Sequence, residues 1–413
     1  MAIVRPFKSY RPVPELAEKV AAKPYDVLNS AEARIEAQGN DYSFLRVGKP
    51  EIDLDVNIDL YSPQVYAKGA ENLQKMIADG ILKADEGEYL YLYALTMEGR
   101  TQYGIVACCS IEDYWNDVIK KHEFTRKKKE EDRCQHVRVT NAHTGPIFLT
   151  YKDEDEINKI LAPIKSSQPN TDFVAADGVR HQVWLITGSE LIKLISEKFA
   201  SIPNLYVADG HHRTAAAGIV GNERKEANPN HNGNEEYNFF LSVLFPASEL
   251  YIMDYNRVVK DLNNYDYDVF INLVKQHFNV IESGGKVKPL QKGEFGMYMD
   301  KKWYILLAKE EYIYNPDPVE SLDVAILQKY VLDEILDIKD PRTDNRIDFV
   351  GGIRGLDELE RRVDSGEMMV AFSMFATSIE ELMRIADSGN VMPPKSTWFE
   401  PKLRDGLFVH FLD

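Results

Sequence analysis

The chain has 413 residues, 66 of them acidic and 49 basic, which gives a formal charge of −17 with the histidines neutral. At about 100–200 residues per domain the length implies two or three cores, and 44% hydrophobic with 28% charged residues is far from a disordered composition. The acidic balance repels phosphate backbones and anionic lipid, so neither nucleic acid nor a membrane is an expected partner; without a signal-like start or a run of about 20 apolar residues, a cytoplasmic location is expected.

No repeat and no low-complexity tract interrupts an alternation of short strands and helices. Lys23-Pro-Tyr-Asp-Val27 is a proline-pinned polar stretch of stiff backbone. Cys108 and Cys109 end the strand-like run from Gly104, and with Cys134 they are too few for a disulfide framework, so buried reduced thiols are expected. Asp177-Gly178 between two apolar runs predicts a hairpin over 173–186. A helix follows, with Thr187 and Glu190 at capping-box spacing and Leu191, Leu194, Ile195 and Phe199 on one face.

Residues 204–208 read as a buried strand ending at Asp209, Thr214-Ala-Ala-Ala217 as the opening of a helix, and 221–236 as a surface loop rich in Asn, Gly and charge. A second block begins near Tyr237. It holds strands at 239–245 and 251–253, a helix at 269–278, a hairpin at 295–307, an amphipathic helix at 321–336, a strand at 368–374 and a helix capped by Thr377 and Glu380. The pattern predicts an α+β fold of mixed sheets in two portions, 1–236 and 237–413. The second is expected to return Pro393-Pro-Lys-Ser-Thr397 to a site in the first.

The most chemically informative stretch is Asp209-Gly-His-His-Arg-Thr214, because a strand running into a helix leaves backbone N–H groups and the positive dipole end for an anion. Gly210 permits close backbone approach, and His211, His212 and Arg213 add donors. The competing reading makes Asp209 an N-cap and the histidines solvated or satisfied. His122-Glu123 pairs an imidazole with a carboxylate that could act as a general base or hold a metal, against the competing reading of Glu123 as an ordinary surface carboxylate. Arg126 stands where a zinc-protease motif needs its second histidine, which removes that motif. The run Arg126-Lys-Lys-Lys-Glu-Glu-Asp-Arg133 reads as a solvated helix or loop, with Lys127, Lys128 and Arg133 able to attract a polyphosphate. Cys134, His136 and His143 lack zinc spacing, and no Walker, kinase or dinucleotide glycine loop is present.

Several separated motifs together resemble the SerK-like family called domain of unknown function 1015. They are Arg5-Pro-Phe7, Pro24-Tyr-Asp-Val27, His122-Glu123 with Thr125, Asp177-Gly-x-x-His181 with Trp184, Ala208-Asp-Gly-His-His-Arg213, and Met392-Pro-Pro-Lys-Ser-Thr397 with Phe399, Pro401, Lys402 and Leu403. Gly210-x-x-Arg213-x-x-Ala216 is also similar to the phosphate-binding box of the ParB and sulfiredoxin superfamily. His211 stands where the sulfiredoxin turn carries cysteine, so sulfinic-acid repair from that position is excluded.

The resemblance implies a ParB/sulfiredoxin-like core with an additional mixed-sheet subdomain. It also implies a phosphotransferase: a small-molecule kinase that phosphorylates free L-serine with ADP, ATP or pyrophosphate and Mg²⁺. On that reading Glu123 and His212 are catalytic, and Gly210, His211, His212, Arg213, Thr214 and Lys395 hold phosphate or nucleotide. Tyr25, Asp26, His122, Arg133, Ser396 and Thr397 line the substrate pocket, and Asp209 binds the metal. The alternatives are an anion- or nucleotide-binding protein without turnover and a ParB-type nucleic-acid-associated module.

Overall fold

The computed structural model describes residues 2–413, which form two compact units. One runs to Leu250 and takes back Pro401–Asp413; the other is Tyr251–Glu400. This division differs from the expected one after residue 236. The reason is strand Phe239–Pro246, which is buried throughout and hydrogen-bonds into the first unit, antiparallel to Arg100–Ser110 and parallel to Ile147–Tyr151.

The first unit is built on a nine-stranded mixed sheet. From one edge its order is Ile119–Lys120, Leu205–Asp209, Ile147–Tyr151, Phe239–Pro246, Arg100–Ser110, Leu90–Met97, Arg180–Ile186 and Thr171–Val174, with Val4–Arg5 also on Arg100–Ser110. The central strands carry side chains that are buried on both faces, the pattern of a covered sheet. Alternate residues such as Leu92, Ala94, Ile105, Ala107, Leu149, Val207, Phe240 and Leu244 join one core with Phe199 and Ile195 of the helix Ser189–Ser201. Cys108, Cys109 and Cys134 are buried free thiols.

The hairpin at Asp177-Gly178 forms, with Gly178 at φ +81° and Arg180–Ile186 antiparallel to Thr171–Val174. Its helix begins later than expected, at Ser189, and Gly188 rather than Thr187 stands at the N-cap. The expected loop at 221–236 is corrected more heavily. Helix His211–Ala227 begins three residues before Thr214 and takes up the first part of that stretch, because Val220 and Gly221 are buried and the polar residues fall on its outer face, while residues 228–235 form the expected irregular segment.

The second unit is a six-stranded antiparallel sheet in the order Phe278–Ser283, Lys302–Ala308, Glu294–Met299, Val370–Ser373, Tyr255–Val259, Ile347–Gly351. The expected 295–307 hairpin turns at Asp300 and Lys301, both at positive φ. The expected helix at 321–336 divides into an α-turn Asp323–Leu327 and a π-helical segment Gln328–Asp333. Helix Ile379–Asp387 has its capping box at Ser378 and Glu381, one residue after the expected pair. With this mixed sheet, antiparallel sheet and flanking helices, the fold class is α+β, as expected.

His181 exposes a pH dependence of the first unit. Its ring lies between Tyr93 and Phe173, stacked on both, and its Nδ1 is 2.7 Å from the Tyr93 hydroxyl. Burial, with Arg404 beside it, lowers its pKa from 6.5 to about 3. The unfolded chain therefore binds a proton that the folded chain refuses, so its contribution is complete above pH 6.5 and is lost as pH falls toward 3. Urea unfolding from pH 7 to pH 4 should show stability dropping by several kcal/mol, and His181→Gln should flatten the slope by about one proton. A slope unchanged in the variant contradicts this.

Candidate functional site

The site is made by the junction of strand Leu205–Asp209 with helix His211–Ala227. The strand register against Ile147–Tyr151 shifts between Val207 and Asp209, a bulge that bends the chain just before the turn. Gly210 then takes φ +96°, a conformation that side-chain-bearing residues rarely adopt. The helix starts at His211 with no side-chain cap, so its first amides lack a protein oxygen from a capping group. Buried Ala215, Ala216, Ala217 and Gly218 let the helix pack closely, and Ala216 and Val220 share a small core with Cys134 and Val137 of helix Lys127–Thr140.

The segment ahead of that second helix is tied to the junction by two backbone donors. The His122 amide donates to His211 Nε2 at 3.5 Å, and the Arg126 amide donates to His212 Nε2 at 3.0 Å. The His122 and His211 rings meet edge to face with centroids 4.3 Å apart. Glu123 is exposed beside them, and one ligand atom from each of His122, Glu123 and His211 falls within 4.8 Å of the others.

The charges of this turn are already paired. Asp209 Oδ2 receives Lys402 Nζ at 2.8 Å, and Oδ1 accepts the Gly210 amide at 2.8 Å. Burial alone would raise the Asp209 pKa, but Lys402 holds it down at about 2. Arg213 makes a bidentate pair with Asp405, at 2.8 and 2.6 Å. Burial lowers the pKa of His122 to about 4, that of His211 well below its ordinary value, and that of His212 to a lesser degree. All three imidazoles are therefore neutral near pH 7. The positive character expected of this turn comes from the helix end and nearby cations rather than from the rings.

Tyr25 and Arg133 come together with Arg213. The Arg133 guanidinium lies 4.0 Å from the centre of the Tyr25 ring and the Arg213 guanidinium 5.4 Å. Arg133 also pairs with Asp132 at 2.8 Å. A cavity of about 30 Å³ lies behind them, lined by Arg133, His136, His143, Gly145, Arg213 and Asp405. Asp26 is exposed, and its charge is felt at both His212 and Arg213.

Other expected members are placed differently. Thr214 is fully buried and donates its hydroxyl to the Gly210 carbonyl at 3.0 Å, so it closes the first helical turn instead of facing a phosphate. Asp209, expected to hold metal, has its oxygens occupied by Lys402 and the Gly210 amide. Lys395, Ser396 and Thr397 belong to the second unit. There the Lys395 carbonyl accepts from Arg257 at 3.0 Å, and Ser396 donates to the Pro393 carbonyl at 2.6 Å.

Sequence reasoning missed Asp405 and Gly145. A Cβ at Gly145 would overlap the Arg213–Asp405 pair, so this position has room only for hydrogen. Lys402 and Leu403, three and two residues before Asp405, were the only local signal that the tail reaches the site.

Removing one partner of the buried pair should be costly, because the other charge is left without compensation. Asp405→Asn is expected to destabilise the first unit by about 3–5 kcal/mol in urea unfolding. Gly145→Ala should weaken it in the same direction. A loss below about 1 kcal/mol for Asp405→Asn would place the pair among ordinary surface ion pairs.

No curated protein matches the chain. Among solved structures it is similar to a free serine kinase in complex with AMP, with 15% identity and a TM-score of 0.38 over 73% of this chain and 91% of that one. It is likewise similar to a conserved hypothetical protein from Pyrococcus furiosus, with 17% identity and a TM-score of 0.36 over 73% and 93% of the two chains. A C-terminally truncated SbnI from Staphylococcus aureus gives 9% identity and a TM-score of 0.37 over 73% and 85%. The family described as "Protein of unknown function (DUF1015)" matches residues 4–325. That match spans most of the sequence and contains the whole His122–Arg213 arrangement, so the chain belongs to the DUF1015 family.

Proposed function

We propose that the protein is a small-molecule kinase that transfers a phosphoryl group from ADP, ATP or pyrophosphate to the hydroxyl of free L-serine. The observation that carries this reading is the uncapped start of helix His211–Ala227, entered through left-handed Gly210 with Glu123 and His212 beside it. Phosphoryl transfer needs mainly positioning and electrostatic stabilisation, which an oriented row of amides supplies without reorganising. In this reading Gly210, His211, His212 and Arg213 form the cradle. The ParB/sulfiredoxin-like box from Gly210 to Ala216 belongs to the same proposal.

The serine hydroxyl oxygen attacks the terminal phosphorus while the bond from phosphorus to the donor's bridging oxygen breaks. The hydroxyl proton passes to Glu123. His212, kept neutral by burial and holding the Arg126 amide at its Nε2, is the second catalytic side chain of this reading. Tyr25, Asp26, His122 and Arg133 surround the acceptor side, while the roles of Lys395, Ser396 and Thr397 rest on the sequence resemblance alone. Mg²⁺, which the resemblance implies, favours oxygen ligands. Asp209 fits it poorly because both carboxylate oxygens are engaged, so no step is assigned to Mg²⁺ there.

The test is direct. Purified protein with L-serine, Mg²⁺ and each donor in turn should give O-phosphoserine with at least one of them. Glu123→Gln and His212→Ala should each lower turnover by about 10²-fold or more. Tight nucleotide binding with no product from any donor would favour a binding protein without turnover. Full activity in both variants would remove these residues from the chemistry.

A further inference from the structure

His122 is only 2% exposed, yet neither of its ring nitrogens has a hydrogen-bond partner. The Val207 backbone carbonyl approaches the ring as a weak acceptor, outside the geometry of an ordinary hydrogen bond. A buried polar group left in this way calls for an occupant, since nearly all such groups in folded proteins are bonded to protein, water or an ion. Beside it, His211 is 6% exposed, and its Nε2 is held only by the long 3.5 Å contact from the His122 amide. Glu123 completes a triangle in which one ligand atom per residue lies within 4.8 Å of the other two.

We propose that His122, Glu123 and His211 form a binding site for one divalent transition-metal ion. Two imidazoles and one carboxylate suit Zn²⁺, Co²⁺ or Mn²⁺, whereas Mg²⁺ prefers an all-oxygen shell. The Asp209 carboxylate lies near enough to favour positive charge at both rings, and Lys121 opposes it at His211.

The ligands come from two places that the fold holds together: the segment before helix Lys127–Thr140 and the first residue of helix His211–Ala227. With Glu123 exposed, three protein ligands leave at least one coordination position for a non-protein ligand. A carboxylate that ligates through one oxygen keeps the other for a hydrogen bond, so the site is compatible with a substrate-facing role for Glu123. This proposal stands on the geometry of the three residues and does not depend on the kinase reading.

The full-length protein, stripped with a chelator and dialysed, would be titrated with Co²⁺ and followed by visible absorption, then with Zn²⁺ by calorimetry. One equivalent of Co²⁺ should bind with the absorption of a site of low coordination number, and Zn²⁺ should displace it while excess Mg²⁺ does not. His122→Ala should weaken binding at least tenfold. Glu123→Ala, at an exposed position, should do the same with an unchanged circular dichroism spectrum, which keeps the test valid if the buried variant folds poorly. No binding by the wild-type protein, or binding unaffected in Glu123→Ala and a folded His122→Ala, would overturn the proposal. Because no substrate is present, either result leaves the serine phosphorylation assay as a separate question.

Discussion

The bidentate pair between Arg213 and Asp405 is the constraint on which the site depends. Arg213 is the third residue of the helix whose start carries the candidate chemistry, and Asp405 comes from the last thirteen residues of the chain. A buried ion pair gains little net stability, because desolvating both charges offsets most of their attraction. Its effect here is on position. Asp405 exchanges backbone hydrogen bonds in both directions with Ala22, three residues before Tyr25, so one carboxylate fixes the helix start while its own backbone fixes the Tyr25 segment.

The rest of the tail repeats this logic. Lys402 neutralises Asp209, Arg404 pairs with Asp177 in the hairpin and contacts His181, His410 donates to Glu236, and Asp413 accepts from Arg224. Strand His410–Phe411 pairs with Ala142–His143 just before the Gly145 turn. Each contact joins residues far apart in sequence, so the site is a property of the completed first unit. The pairing also removes formal charge from the turn: with Asp209 and Arg213 both compensated and the imidazoles neutral, the attraction for an anion comes from the helix end, its amides and the nearby cations Lys121, Arg126 and Lys129.

Local signals were legible in the sequence wherever local physics decides the outcome. Asp177-Gly178 gave the hairpin because the turn requires φ > 0, and the strand before Asp209 followed from its apolar run. Gly210 marked the strand-to-helix corner for the same conformational reason. The helix extent was misread because Asn222 and the charged residues after it look like a loop by composition, while burial of Val220 and Gly221 continues the helix. The domain division was misread because strand Phe239–Pro246 inserts between strands distant in sequence, which periodicity cannot register. In the site, the Gly210–Arg213 corner stood out by its strand-to-helix chemistry and His122-Glu123 as a separate imidazole–carboxylate pair; the resemblance joined them, and the fold brings His122 and Glu123 beside His211. Asp405 was not, because a single aspartate near a terminus carries no pattern until the tail is folded back.

The central claim is that the start of helix His211–Ala227 receives a phosphoryl group. The most direct measurement is a crystal structure of the protein with ADP. The account predicts a phosphate whose oxygens lie within hydrogen-bonding distance of the His211, His212 or Arg213 amides, with Arg213 still paired to Asp405. A well-ordered nucleotide with all its phosphates away from that helix start would contradict it.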